Sequence, residues 1–359
     1  MRGTSSPQGQ RGYILALNIA VLALMMVGAT YIGQRMSVAL KLAQAEQQRL
    51  DEDIALESAR ARVLFLLATA SRSRSGLGSI GSTGSLGNPG VGAEAVALDG
   101  RYYRVGKGVL VSLQDVRGLV SLNGIGFAGA SRLRIERLLG TYGLDDLTAS
   151  RLTDTLLDFR DADDLRRING AERADYAAAG QESFLRNKDL LAPTDLGRVL
   201  RWPDYRQLWD DDPITNHVSI EPTPVFNPNT ANWRALVAMT GITTEIAKGL
   251  VNSRQKGEIA DISRLVVSGN IDDPFSAVSY ISLFPGDTIL VTLRSEDSSW
   301  GYRMAVTHKP ESDQSPWHIQ YAYRVALGPL ATPRDRIPAL PEAGALRDFN
   351  AKDRIELPF

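Results

Sequence analysis

The residues best suited to chemistry are a group of acids, Asp158, Asp161, Asp163, Asp164 and Glu172. Carboxylate oxygens are hard ligands, and a calcium ion takes about 6–8 of them or of similar oxygens. Asp161 and Asp163 are alternate residues, and Asn169-Gly170 turns the chain so that Glu172 can approach them. The candidate ligand set is therefore Asp158, Asp161, Asp163 and Glu172, with Ca2+ as the implied cation. The spacing lacks the regular ligand plan of an EF-hand loop. A blander reading of the same residues is a helix C-terminus whose solvated acids pair locally with Arg160, Arg166 and Arg167. A catalytic carboxylate pair has neither a pocket nor a partner nucleophile in the sequence.

A second stretch that could do chemistry is 236–254, with Thr240-Gly241-Ile242-Thr243 at its centre. It looks like a helix-hairpin-helix, which presents backbone amides to phosphate. Only one of the two expected glycines is there, and Glu245 follows where an anion would sit. Asn123-Gly124-Ile125-Gly126 opens a similar unit, with Arg132, Arg134 and Arg137 downstream. The alternatives are a membrane-anchored, extracytoplasmic DNA-binding protein and a helical packing unit. A formal net charge of −1 over 359 residues favours packing, and no nucleic acid is expected. The chain has no cysteine and three histidines, which excludes thiolate metal sites, disulfides and cysteine nucleophiles. No Gly-x-Ser-x-Gly or phosphate-loop pattern appears, so the chain does not read as an enzyme.

Several elements must carry these residues. Positions 12–34 contain no charge, aromatics stand near both ends at Tyr13 and Tyr31, and Arg2 and Arg11 precede the run. About 20 apolar residues cross a bilayer core, and the basic leader places residues 1–12 in the cytoplasm and the bulk outside. The apolar pattern continues at helical spacing through Leu50, Ile54, Val63, Leu66 and Leu67, which predicts one long helix over 13–70, transmembrane over 13–34. A Gly/Ser linker follows at 71–98, its first part too poor in bulky side chains to order itself. Strands are predicted at 99–115 and again at 285–327, around a helical stretch at 116–284, and residues 328–359 form a proline-rich tail. A lone strand pair is marginal, so the early hairpin is expected to join the late strands. The fold class is α+β: a long N-terminal helix on a small antiparallel sheet, with a large all-α insertion domain.

Certain motifs resemble a known family. The basic leader ending in Gly12 before a hydrophobic run resembles the prepilin-peptidase signal of type IV pilins and type II secretion pseudopilins. That resemblance implies cleavage between Gly12 and Tyr13, with Tyr13 N-methylated. Such proteins usually carry glutamate at the fifth mature position; here it is Leu17. The internal stretches 111–123, 152–164 with Asn169-Gly-Ala-Glu172 and Tyr176, and Phe226-Asn-Pro-Asn-Thr-Ala231 resemble the general secretion pathway protein K family, whose members also lack that glutamate. In pilin assembly the glutamate is thought to neutralise the neighbour's N-terminal amine inside the apolar bundle, a need a capping subunit does not have. The resemblance thus implies a pilin-like fold and a minor pseudopilin of a type II secretion system, with Leu17 as its tip marker. It further implies a single-pass inner-membrane protein with its bulk in the periplasm, helping to initiate pseudopilus assembly. The implied partners are other minor pseudopilins, the prepilin peptidase and secreted substrates, and pseudopilins commonly bind calcium.

Overall fold

The computed structural model describes residues 11–78, 95–123, 130–222, 225–254, 257–259, 280–330 and 332–341. The leader before Arg11, most of the Gly/Ser stretch and the end of the tail lie outside them.

Helix α1 runs from Arg11 to Thr69 without a break, as the continuous apolar periodicity predicts. Two compact units divide within it, after Glu57. The first unit is the apolar helix itself, with Tyr13, Leu17 and their neighbours exposed along its length. Among the described residues this is the one helix long and apolar enough to cross a membrane. In the second unit the last turns of α1 present Ala59, Val63, Leu66 and Leu67 as a buried stripe, the spacing of one helical face.

The chain beyond α1 departs from the expected linker. Arg72–Ser73 (β1) and Gly76–Leu77 (β2) form a small antiparallel hairpin, and Leu77 bridges Val96, both fully buried. Gly76 is required there: its φ is +132°, and a Cβ would fall 2.1 Å from the Val96 carbonyl oxygen. Residues 71–78 are therefore anchored to the domain, and the remainder of the linker, 79–94, lies outside the described residues.

The sheet is assembled as the insertion pattern predicts. Asp99–Arg104 (β3) and Val109–Asp115 (β4) form the early hairpin, and β4 is buried along its whole length. Within the interrupting segment are Val120–Ser121 (β5), Ala130–Gly140 (α2), Asp146–Arg160 (α3), Arg173–Ala178 (α4), Val218–Ser219 (β6), Trp233–Thr240 (α5) and Thr244–Arg254 (α6). The sheet resumes with Thr288–Ser295 (β7), Trp300–His308 (β8) and Trp317–Ala326 (β9). Strand order is β3-β4-β7-β8-β9, antiparallel throughout. Strand β7 pairs with β4 across the interruption, Val111 opposite Leu293 and Leu113 opposite Val291. The tail lies along the β3 edge, where Arg104 donates to the Pro338 carbonyl and accepts from the Leu340 amide.

The insertion is less regular than an all-α domain. Short 3-10 turns occupy much of 182–216, and β5 pairs in parallel with β6. Its own core gathers Ile135, Leu138, Phe159, Tyr176, Trp202 and Phe226. Asp115, the last residue of β4, ties the insertion's ends together. It is fully buried; Oδ1 accepts from the Arg117 and Gly286 amides, and Oδ2 from Asn227 Nδ2 and Thr230 Oγ1. These residues stand at the insertion's start, its end and its 226–231 motif. Burial pushes the Asp115 carboxyl upward, against four donors that hold its charged form.

Candidate functional site: a buried acid trio at the end of helix α3

Helix α3 begins at the cap Asp145, whose carboxylate accepts from the Thr148 amide at 2.9 Å, and ends at Asp161, where the backbone becomes extended. Its last turns are buried on all sides, Asp154, Asp158 and Arg160 included. Buried polar groups need partners, and the loop 161–172 supplies most of them by folding back over the helix end. The Arg167 amide donates to Asp158 Oδ2 at 3.2 Å, and the Asn169 amide to Asp154 Oδ2 at 3.3 Å. Gly170 is pressed so closely on this surface that a Cβ would lie 1.8 Å from Asp158 Oδ2. The turn then delivers Glu172 to the start of α4, where Asp175 Oδ2 accepts from the Glu172 amide at 3.0 Å.

Asp158, Asp161 and Glu172 thereby come together, each buried, with one oxygen of each within 4.8 Å of the others. Arg167 Nη1 bridges two of them, donating to Asp158 Oδ1 and to Asp161 Oδ2. Three buried oxygens have no hydrogen-bond partner: Asp161 Oδ1 and both Glu172 oxygens. Glu172 is 5% exposed. Its burial, followed by the negative charges of Asp158, Asp161, Asp164 and Asp163, pushes its carboxyl up to about 7. Asp158 is also raised, by burial first, although Arg167 opposes the shift.

Of the four expected ligands the fold brings three together and sets one apart. Asp163 is exposed, and its Oδ1 accepts from the Leu165 amide at 2.9 Å instead of facing the trio. Alternate residues share a face only on extended backbone; here the chain bends through 161–163 and turns Asp163 outward. The three arginines of the blander reading separate. Arg160 pairs with Asp189 at 2.8 Å, Arg166 with Asp175 at 3.1 Å, and Arg167 alone of the three enters the acid group.

The hairpin at 236–254 is formed by α5, a left-handed Gly241 and α6, with Glu245 exposed in the first turn of α6. The arginines expected to face phosphate turn into the protein. Arg132 pairs with Glu136 and Asp154, Arg134 lies over the Tyr280 ring, and Arg137 packs against Gly241. The start of the first unit, 124–129, lies outside the described residues. A further polar group has no motif in the sequence. Asp212 accepts from His217 Nε2 at 2.8 Å and Arg234 Nε at 3.0 Å, and Arg234 stacks on Tyr142. Burial works to raise the Asp212 carboxyl, but these two partners hold it well below the usual carboxylate range. Its members are scattered over 142–234, so only the fold brings them together.

Gly12, Tyr13 and Leu17, the positions that the family resemblance ties to processing and to a tip position, are all on α1, Gly12 in its first turn and Tyr13 and Leu17 exposed. Of the sheet aromatics, Trp300 and Tyr302 on β8 are half exposed, while Tyr103 is buried.

No curated protein matches the chain. It is similar to a chain in the crystal structure of the GspK-GspI-GspJ complex from the enterotoxigenic Escherichia coli type 2 secretion system, at 13% identity and a TM-score of 0.49, covering 79% of this chain and 98% of that one. Residues 115–205 match the family model of type II secretion system (T2SS) protein K. The matched segment runs from the buried Asp115 through α3, the acid trio and α4 to the Trp202 core. Over residues 115–205, the segment that builds the acidic site, the chain is similar to type II secretion system protein K.

Proposed function

We propose that this chain is a minor pseudopilin of a type II secretion system, anchored in the inner membrane by the first part of α1 with its remaining residues in the periplasm. The observation that carries this reading is the protein K segment, inserted between β4 and β7 of an antiparallel sheet that follows a single long apolar helix. Its work is assembly. Leu17 in place of a charge-neutralising glutamate, and an insertion too bulky to repeat along a filament, suit a subunit that caps the pseudopilus tip and helps to initiate it. Processing by a prepilin peptidase between Gly12 and Tyr13, with methylation of Tyr13, would free the helix for that packing. Other minor pseudopilins are the expected partners, and the half-exposed Trp300 and Tyr302 offer contact area for them or for secreted substrates. The DNA-binding alternative draws less support, since Arg132, Arg134 and Arg137 are engaged within the protein.

The trio is suited to a structural Ca2+. Asp158, Asp161 and Glu172 would hold the ion, which would supply positive charge where Asp161 Oδ1 and both Glu172 oxygens lack donors. With calcium, the thermal midpoint should rise relative to chelator, and Asp161→Ala should remove the difference. The functional reading is tested by expressing the full chain with and without its cognate minor pseudopilins and isolating it from detergent-solubilised membranes. A stable complex with them supports it, and a chain that always purifies alone overturns it.

A further inference from the structure

The acid trio is not left bare: the long side chain of Arg167 reaches into it from the loop that covers it. Its guanidinium donates to Asp158 Oδ1 and Asp161 Oδ2, and its own backbone amide takes Asp158 Oδ2. Both Asp158 oxygens are thus occupied by one residue. What remains for a cation is Asp161 Oδ1 and the two oxygens of Glu172, all buried and without partners. Three oxygens fall short of the about 6–8 that a calcium ion takes, and the guanidinium is a like charge at short range in a water-poor setting, where charges interact more strongly than at the surface. The Arg167 side chain is 25% exposed, so it has a way out to solvent, and its neighbour Arg166 already lies outward against Asp175.

Resting on the reading of the trio as a cation site, we propose that Arg167 is a built-in counter-cation that exchanges with the divalent ion. When the guanidinium is in, it neutralises part of the trio and the loop stays closed without metal. When a divalent ion enters, the guanidinium leaves and Asp158 becomes a ligand beside Asp161 and Glu172. Arg167 therefore sets the affinity of the site, lowering it below what three buried carboxylates would otherwise give. Its guanidinium is always charged, so the exchange responds to cation concentration.

The test is calorimetric titration of the detergent-solubilised full chain with calcium chloride, for the unaltered protein and for Arg167→Gln, Arg167→Lys and Arg166→Gln. Arg166→Gln removes the same charge one residue away, outside the trio. Arg167→Gln should tighten binding about tenfold or more, the scale of one strong local charge interaction. Arg166→Gln should change it by about threefold or less, as an exposed pair does. Arg167→Lys keeps the charge without the planar fork and should fall between; it also serves if Arg167→Gln does not fold in chelator. Calcium binding by Arg167→Gln alone, with none by the unaltered chain, supports the exchange in its extreme form. Equal affinities for the unaltered chain and Arg167→Gln, or equal tightening by both glutamine variants, overturn the exchange while leaving the cation site standing. Absence of binding in every protein overturns both.

Discussion

Glu172 concentrates the cost of the acidic site in one side chain. Its carboxyl is raised from the ordinary carboxylate value to about 7, by burial and by four neighbouring aspartates. Between those two values the folded protein binds a proton that the unfolded chain does not, so stability is fully present at low pH and is lost as pH rises through about 7. In chelator, the thermal midpoint should therefore fall between about pH 5 and pH 8, and Glu172→Gln should flatten that fall and stabilise the protein at the alkaline end. A midpoint that rises with pH in the unaltered chain, or an unchanged slope in the variant, contradicts the assignment. Much of this site was legible in the sequence, because Asn169-Gly170 is a turn with a mechanical role, and the close approach at Gly170 shows why no side chain is tolerated there. Asp163 stands apart from the other three expected ligands because alternation in sequence fixes a common face only where the backbone stays extended, and here it bends. The part of Arg167 was the least legible. Three arginines within eight positions look alike in sequence, and only the fold sends one to Asp189, one to Asp175 and one into the trio.

At the scale of elements, the junction between sheet and insertion depends on Asp115. Replacing it by alanine leaves Asn227 Nδ2 and the amides of Arg117 and Gly286 without this acceptor in the interior, while Thr230 Oγ1 keeps the Asn227 carbonyl at 3.3 Å. Each stranded group costs about 1–3 kcal/mol, so Asp115→Ala, with three of them, should lose about 3 kcal/mol or more in denaturant unfolding, whereas removal of the exposed Asp163 should cost about 0.5 kcal/mol or less. Equal effects would mean that the junction is held by apolar packing alone. This arrangement also gives a physical meaning to the motifs 111–123 and 226–231: one carries the acceptor and the other two of its donors. The strands were readable to within a residue or two because their apolar alternation and turns are local. The parallel pair β5–β6 and the 3-10 turns were not, since a two-residue strand has no periodicity and its partner lies almost a hundred positions away.

For the whole molecule, the absence of cysteine means that no disulfide supports the chain, and its stability rests on burial. The last turns of α1 contribute directly. Leu66 is essentially fully buried, and Leu66→Ala should cost about 2–5 kcal/mol, whereas Leu40→Ala, on the exposed first part of the helix, should leave the unfolding midpoint in detergent unchanged. The α+β class and the interrupted sheet are legible in the sequence, because the sheet's two halves carry the same pattern on either side of a long polar-punctuated stretch. The ordered hairpin at 72–77 could not, as its stability comes from Leu77 and Val96 meeting across the Gly/Ser stretch. Processing and assembly as a pseudopilin are the centre of the proposed function. The most direct measurement is intact-mass and N-terminal analysis of the full chain after co-expression with a prepilin peptidase. Loss of residues 1–12, leaving a methylated Tyr13 at the start, is the predicted result; a chain that keeps Met1 or Arg2 as its first residue contradicts it.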